Sequence, residues 1–186
     1  MSVLKESVTF RIGKSELEQL RHIAENSEIS LNTLENQLVK SFLECEHPFA
    51  RAGFISLQKD TVEEFLARIS DEELKNIAIK AADRFMDKLF LIMGKTDLHS
   101  FLRVTKAELK RSGIAYREIS DSDKGHFQFV IVHNMGSKWS TFFGMYNERI
   151  INNLGYGAKI EATESSLTIW ASIVAASPSV PIVMKK

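Results

Sequence analysis

The chain has 186 residues, zero net charge and a globular composition, 44% hydrophobic and 26% charged. It contains no apolar run long enough to span a bilayer, and its start reads directly as a strand rather than a leader peptide. The single cysteine, Cys45, excludes an intrachain disulfide and a cysteine-rich zinc site, so a reducing cytoplasm is the expected compartment.

The charge is unevenly divided: residues 1–46 carry a net −3 and the remainder +3. No block resembles a basic nucleic-acid tail, so any nucleic-acid binding has to come from a few well-placed cations.

In chain order, "ESVTFRI" (6–12) alternates Val8, Phe10 and Ile12 with Ser7, Thr9 and Arg11, the pattern of a two-faced strand. Residues 15–25 predict a helix, opened by a Ser15/Glu18 capping box and ended by Asn26 in a left-handed conformation. A second helix starts from Ser30 as N-cap, carries Leu31, Leu34, Leu38 and Phe42 on one face, and is expected to stop before His47-Pro48.

Residues 47–58 read as a connector broken by Pro48 and Gly53. Helices are predicted over roughly 59–69, 71–93 and 96–112. The middle one is opened by a Ser70/Glu73 capping box and striped by Leu74, Ile77, Ala78, Ala81, Phe85, Leu89 and Ile92.

After residue 113 the period changes. "IAYREIS" (114–120) predicts a strand, "SDSDKG" (120–125) a turn, and "HFQFVIVHN" (126–134) a strand buried in the middle of a sheet. Residues 138–154 predict a helix burying Trp139, Phe142, Phe143, Tyr146, Ile150 and Leu154. Residues 158–173 predict two strands about Glu164-Ser165-Ser166, and the tail from 177 is expected to fray.

The stretch "VTFRIGKSELEQLRHIAENSEISLNTLENQLVKSFLE" resembles the ribbon-helix-helix superfamily of DNA-binding proteins, the Arc/MetJ/CopG type. The resemblance covers about a fifth of the chain. It implies that the lone strand pairs with the same strand of a second copy and that the paired ribbon enters the major groove. Base contacts then fall to Ser7, Thr9 and Arg11. Phosphate contacts fall to Lys5, Lys14 and the N-terminus of the second helix, Ser30, Leu31, Asn32 and Thr33. The module departs from the family in its acidic charge and in having Asn26-Ser27-Glu28 at a turn where glycine is frequent. The C-terminal half is only faintly similar to uncharacterised archaeal regulators.

In the second half, "VHNMGSKWS" (132–140) gathers a candidate ligand site: His133, Asn134, Ser137, Lys138 and Trp139 at a strand-to-helix junction. Catalytic motifs are missing, and the histidines show no metal-ligand spacing, so neither an enzyme nor a metal or other cofactor is expected. His133 acting as a base beside Ser137 or Ser140 is the one enzymatic arrangement the residues allow.

The expected fold is thus α+β. It comprises a ribbon-helix-helix (βαα) module at 1–46, a connector at 47–58, a helical segment at 59–113, a ββαββ domain at 114–176 and a tail at 177–186. The expected function is a homodimeric, cytoplasmic transcriptional regulator that binds double-stranded DNA, forms dimers of dimers, and uses its C-terminal domain for oligomerisation or for sensing a small-molecule effector. The alternative keeps the ribbon for dimerisation alone and makes the C-terminal domain a ligand- or protein-binding module.

Overall fold

The structure, a computed structural model, describes residues 6–121 and 126–173. Lys5, most of the predicted turn at 120–125 and the tail at 177–186 lie outside the described residues. The chain divides into two compact units, Met1–Glu46 and His47–Lys186.

In the first unit, residues 6–13 form no strand and pair with none. Val8 and Phe10 are 70% and 67% exposed. The expected ribbon-helix-helix (βαα) fold is therefore corrected: no N-terminal β-ribbon exists, and the regular structure of this unit is helical. The physical reason is that alternation prepares a strand but does not stabilise one. Its N–H and C=O groups need a neighbouring edge, and the single chain supplies none here.

Helix α1 spans Lys14–Asn26. It begins at Gly13 with no side-chain cap, so the expected Ser15/Glu18 capping box does not form. Ser15 Oγ instead accepts from Gln19 Nε2 at 3.4 Å. The turn that follows is made by Glu28, at φ 54°, and not by Asn26. Helix α2 spans Leu31–Ser41 and is capped as expected, with Thr33 N–H donating to Ser30 Oγ at 3.1 Å. Ala24 and Leu34 are the buried apolar residues of the two helices.

Glu28 pays a steric cost in the left-handed region that glycine avoids, partly offset by glycine's larger unfolded-state entropy. Glu28→Gly is expected to raise stability by about 0.5–1 kcal/mol, read as a higher urea midpoint at an unchanged slope.

The backbone does not stop ahead of Pro48. A π-helical turn occupies Phe42–Glu46 and a short helix α3 spans His47–Arg51. Pro48 has no N–H to donate, and its ring would strike the carbonyl four residues back in a regular α-helix. A widened turn just before it removes both conflicts, which is how a segment read as a connector becomes partly helical.

The second unit holds three longer helices, α4 (Lys59–Ala67), α5 (Asp71–Met93) and α6 (Leu98–Arg111). Strands β1 (Ala115–Asp121) and β2 (His126–Val132), helix α7 (Gly136–Asn153), and strands β3 (Tyr156–Ala162) and β4 (Ser166–Ile173) complete it. The Ser70/Glu73 capping box opens α5, and Gly94, at φ 70°, closes it. Its buried stripe is Leu74, Ala78, Ala82, Phe85 and Leu89, while Ile77 is 45% exposed.

The four strands form one antiparallel sheet in the order β1-β2-β4-β3. Strand β2 lies between β1 and β4, and its run is apolar except at His126 and Gln128. Phe127, Phe129 and Ile131 of β2 and Leu167, Ile169 and Ala171 of β4 are buried on one face. Helix α7 packs on β3 and β4 and also on α5, so it lies between sheet and helices. Gly144 makes the helix–sheet approach possible: a Cβ there would lie 3.3 Å from Ile160 Cγ2 and 3.5 Å from Leu167 Cδ1.

Candidate functional site

The junction after β2 shows how a strand end is tied to a helix start. His133 is 1% exposed. Met135 N–H donates to its Nδ1 at 3.0 Å, which fixes the neutral tautomer with the proton on Nε2. Nε2 then donates to Ser140 Oγ at 2.8 Å, and Ser140 donates onward to the Thr163 carbonyl at 2.6 Å. Trp139 lies against the imidazole, ring centroids 4.2 Å apart. Burial pushes the His133 pKa down. Both nitrogens are used and the ring is sealed, so His133 joins β2, α7 and the β3–β4 turn instead of facing a ligand. Ser140's proton is likewise committed to a carbonyl, away from any substrate.

The other residues of that candidate cluster diverge. Asn134 supplies a left-handed turn, φ 53°, and Ser137 is exposed. Lys138 Nζ donates to the Ile69 carbonyl at 2.9 Å and to Asp71 Oδ1 at 2.6 Å, fastening α7 to the start of α5. Trp139 alone reaches a cavity.

That cavity, about 660 Å3 and partly open to solvent, is lined by α3, the 54–58 loop, α4, α6 and α7. Its size suits a small organic molecule. Trp139, Phe142, Phe143 and Tyr146 follow one another at the i, i+3, i+4, i+7 spacing and so present one aromatic face of α7 to it. Trp139 stacks on Phe143 at 4.4 Å and Phe143 on Tyr146 at 5.8 Å. Across from them Phe49 and Phe54 stack at 4.7 Å. Trp139 and Phe49 are buried, while Phe54, Phe142, Phe143 and Tyr146 are half-buried, as rings facing a void should be.

One acid sits among these rings. Glu108 of α6 is half-buried and lies seven, four and three residues after the buried Phe101, Val104 and Thr105, on the same side of the helix. Loss of water raises its pKa to about 6, against the opposing pull of Arg111 one turn on. Tyr146 is held protonated, its pKa raised by desolvation and then by the Glu108 charge. Arg111 is exposed and donates to Ser56 Oγ at 2.8 Å. The sequence places Trp139, Phe142, Phe143 and Tyr146 on the buried face of a helix, counts Trp139 also in the candidate ligand site at 132–140, and gives no role to Glu108. The available signal was an acid at an apolar stripe position, seven residues after Phe101.

Glu108 makes a stability prediction. Its folded pKa lies above the ordinary 4.5, so its contribution to stability is fully present below pH 4.5 and is lost as pH rises through about 6. Glu108→Gln should therefore gain on the wild type by about 2 kcal/mol between pH 4 and pH 8, measured by urea unfolding at the two values.

The residues expected at a DNA interface lie in the first unit. Ser7, Thr9 and Arg11 are exposed, but without a ribbon they share no formed face with a counterpart. Lys14 opens α1, and Ser30, Asn32 and Thr33 are exposed at the start of α2, with Leu31 half-buried beside them. Among the described residues no cluster of three or more His, Cys, Asp or Glu side chains could hold a metal ion, and no helix is long and apolar enough to cross a membrane.

No protein-family model matches the chain, and no curated protein matches its sequence. Among solved structures, a point mutant of the H-NOX protein of T. tengcongensis aligns over 89% of this chain and 96% of its own, at 10% identity and a TM-score of 0.43. A score at that level fixes neither fold nor function.

Proposed function

We propose that the chain is a cytoplasmic, ligand-responsive regulator whose second unit binds a small, largely apolar molecule. The observation that carries this reading is the cavity of about 660 Å3 walled by aromatic rings and holding one acid, Glu108. A partly open space of this size, lined by rings of α3, α7 and the 54–58 loop, has the dimensions and apolar lining of a small-molecule site. The module reading needs no catalytic group, since burial of rings and one polar anchor supply affinity and orientation.

The test uses indole, a neutral aromatic, followed by saturation-transfer NMR. Saturable binding to the wild type is expected. It should disappear in Val62→Trp, where a large ring grows from a half-buried wall residue into the space. Binding that survives Val62→Trp, or no saturable binding to the wild type of indole or of any aromatic of like size, charged or neutral, would overturn the reading.

A second reading, DNA binding by the first unit, draws on the start of α2. The first-turn N–H groups of a helix lack intrahelical acceptors and favour a phosphate, and here Ser30, Asn32 and Thr33 are exposed. Self-association of this unit is favoured by Ile23, Leu38, Val39 and Phe42, all exposed large apolar side chains. Ser30→Glu should weaken retention of random duplex DNA in a gel, and light scattering should give a mass of at least two chains. Unchanged retention in Ser30→Glu, or a monodisperse monomer, would remove this reading.

A further inference from the structure

We propose that the occupant of the cavity is an organic cation, an aromatic or branched apolar body bearing an amine or quaternary ammonium group that lies beside Glu108. The inference rests on the ligand-binding reading above and names the class of ligand.

The acid that lines the cavity is Glu108, a half-buried residue of α6 beside the buried Leu109. The cations on the wall, Lys59 and Arg111, are exposed residues, and Arg111 is engaged with Ser56. Among the other groups facing this region, Tyr146 remains a neutral phenol, and Lys88 of α5 sits over the Phe54 ring with Nζ 5.2 Å from the centroid. Desolvation outweighs Arg111 at Glu108, because the pKa is raised and not lowered. A buried carboxylate is costly until an opposite charge joins it.

The walls point to the same class. Aromatic faces carry negative quadrupole potential and attract ammonium groups, most strongly when water is excluded. Phe54 already accepts one cation, that of Lys88, on its ring. Trp139, Phe143 and Tyr146 add a stacked series of such rings to the same lining. A neutral apolar molecule would use the rings and leave Glu108 unpaired. A carboxylate would meet like charge at Glu108. A cation satisfies both the acid and the rings.

The experiment is a calorimetric titration of the full chain with three probes of matched size: benzyltrimethylammonium, its neutral carbon isostere neopentylbenzene, and phenylacetate. At pH 8 the cation is expected to bind at least tenfold more tightly than the isostere. The preference should shrink as pH falls through about 6, where Glu108 takes its proton. Glu108→Gln should remove the preference of the cation over the isostere. Equal affinity for cation and isostere overturns the cationic class while leaving the binding module standing. Tighter binding of phenylacetate overturns it in favour of an anion. A cation preference that persists in Glu108→Gln overturns the role of Glu108. Failure of all three probes to bind, together with indole, overturns the module itself.

Discussion

His133→Ala is expected to lower the stability of the full chain by about 3–4 kcal/mol. Two losses add. The imidazole is 1% exposed and packed against Trp139, so its removal leaves a void in the wall between β2 and α7. The Met135 N–H loses its acceptor and the Ser140 hydroxyl loses its donor, and both are buried. The wild type should also show a pH signature that the variant lacks. The His133 pKa is depressed by burial, so its contribution is fully present above the unfolded value of 6.5 and is lost as pH falls through the lower folded value. Urea unfolding of both proteins between pH 8 and pH 5 checks this. A variant that unfolds at the wild-type midpoint, or tracks it at every pH, would show that the bridge contributes nothing. The trend is opposite in sign to that of Glu108, so Glu108→Gln is the cleaner background in which to record it.

Gly144→Leu is expected to cost 3 kcal/mol or more, enough to lose much of the margin of an ordinary domain. Gly144 is buried in the middle of α7, where glycine is about 1 kcal/mol worse than alanine by helix propensity. Alanine would recover that amount but would press on Ile160 Cγ2 at 3.3 Å and Leu167 Cδ1 at 3.5 Å. For a single methyl the two effects are of similar size. For leucine they are not: three further carbons must enter the space between helix and sheet, and the sheet is held by ladders on both sides of β4. Circular dichroism melts of Gly144→Ala and Gly144→Leu distinguish the cases. A small change for alanine and a large fall for leucine is the expected pair of results.

What was legible in the sequence follows from which interactions are local. The Ser70/Glu73 box, the Ser30 cap and the glycine stop at Gly94 depend on residues three or four apart, and all are present. The largely apolar run of β2 predicted a central strand, and the strand does lie between β1 and β4, with Phe127, Phe129 and Ile131 buried on one face and Val132 exposed on the other. The segment at 6–12 failed for the complementary reason: alternation reports what a strand would look like but not whether an edge exists to receive it. Pro48 misled in a similar way, since the rule that it ends helices assumes the α pitch, and a π turn at Phe42–Glu46 evades that assumption. At the site, Trp139, Phe142, Phe143 and Tyr146 were legible as one face of a helix, but a periodicity cannot tell a packed face from one that looks onto a void. His133 was legible as unusual and illegible as saturated: its partners, the Met135 N–H and Ser140 Oγ, lie only two and seven residues on, but whether they close on the ring depends on how α7 leaves the strand.

The two tryptophans give the molecule an optical readout of its own. Trp139 is enclosed between His133 and Phe143, whereas Trp170 is a half-buried residue of β4 with Lys159 Nζ 5.0 Å above its ring. Their fluorescence should therefore separate into a blue component shielded from acrylamide and a redder one open to it. Occupation of the cavity would change the lifetime of the first and leave the second as an internal standard. Protonation of His133 would quench the same blue component, so one spectrum would register both filling of the cavity and loosening of the junction behind it.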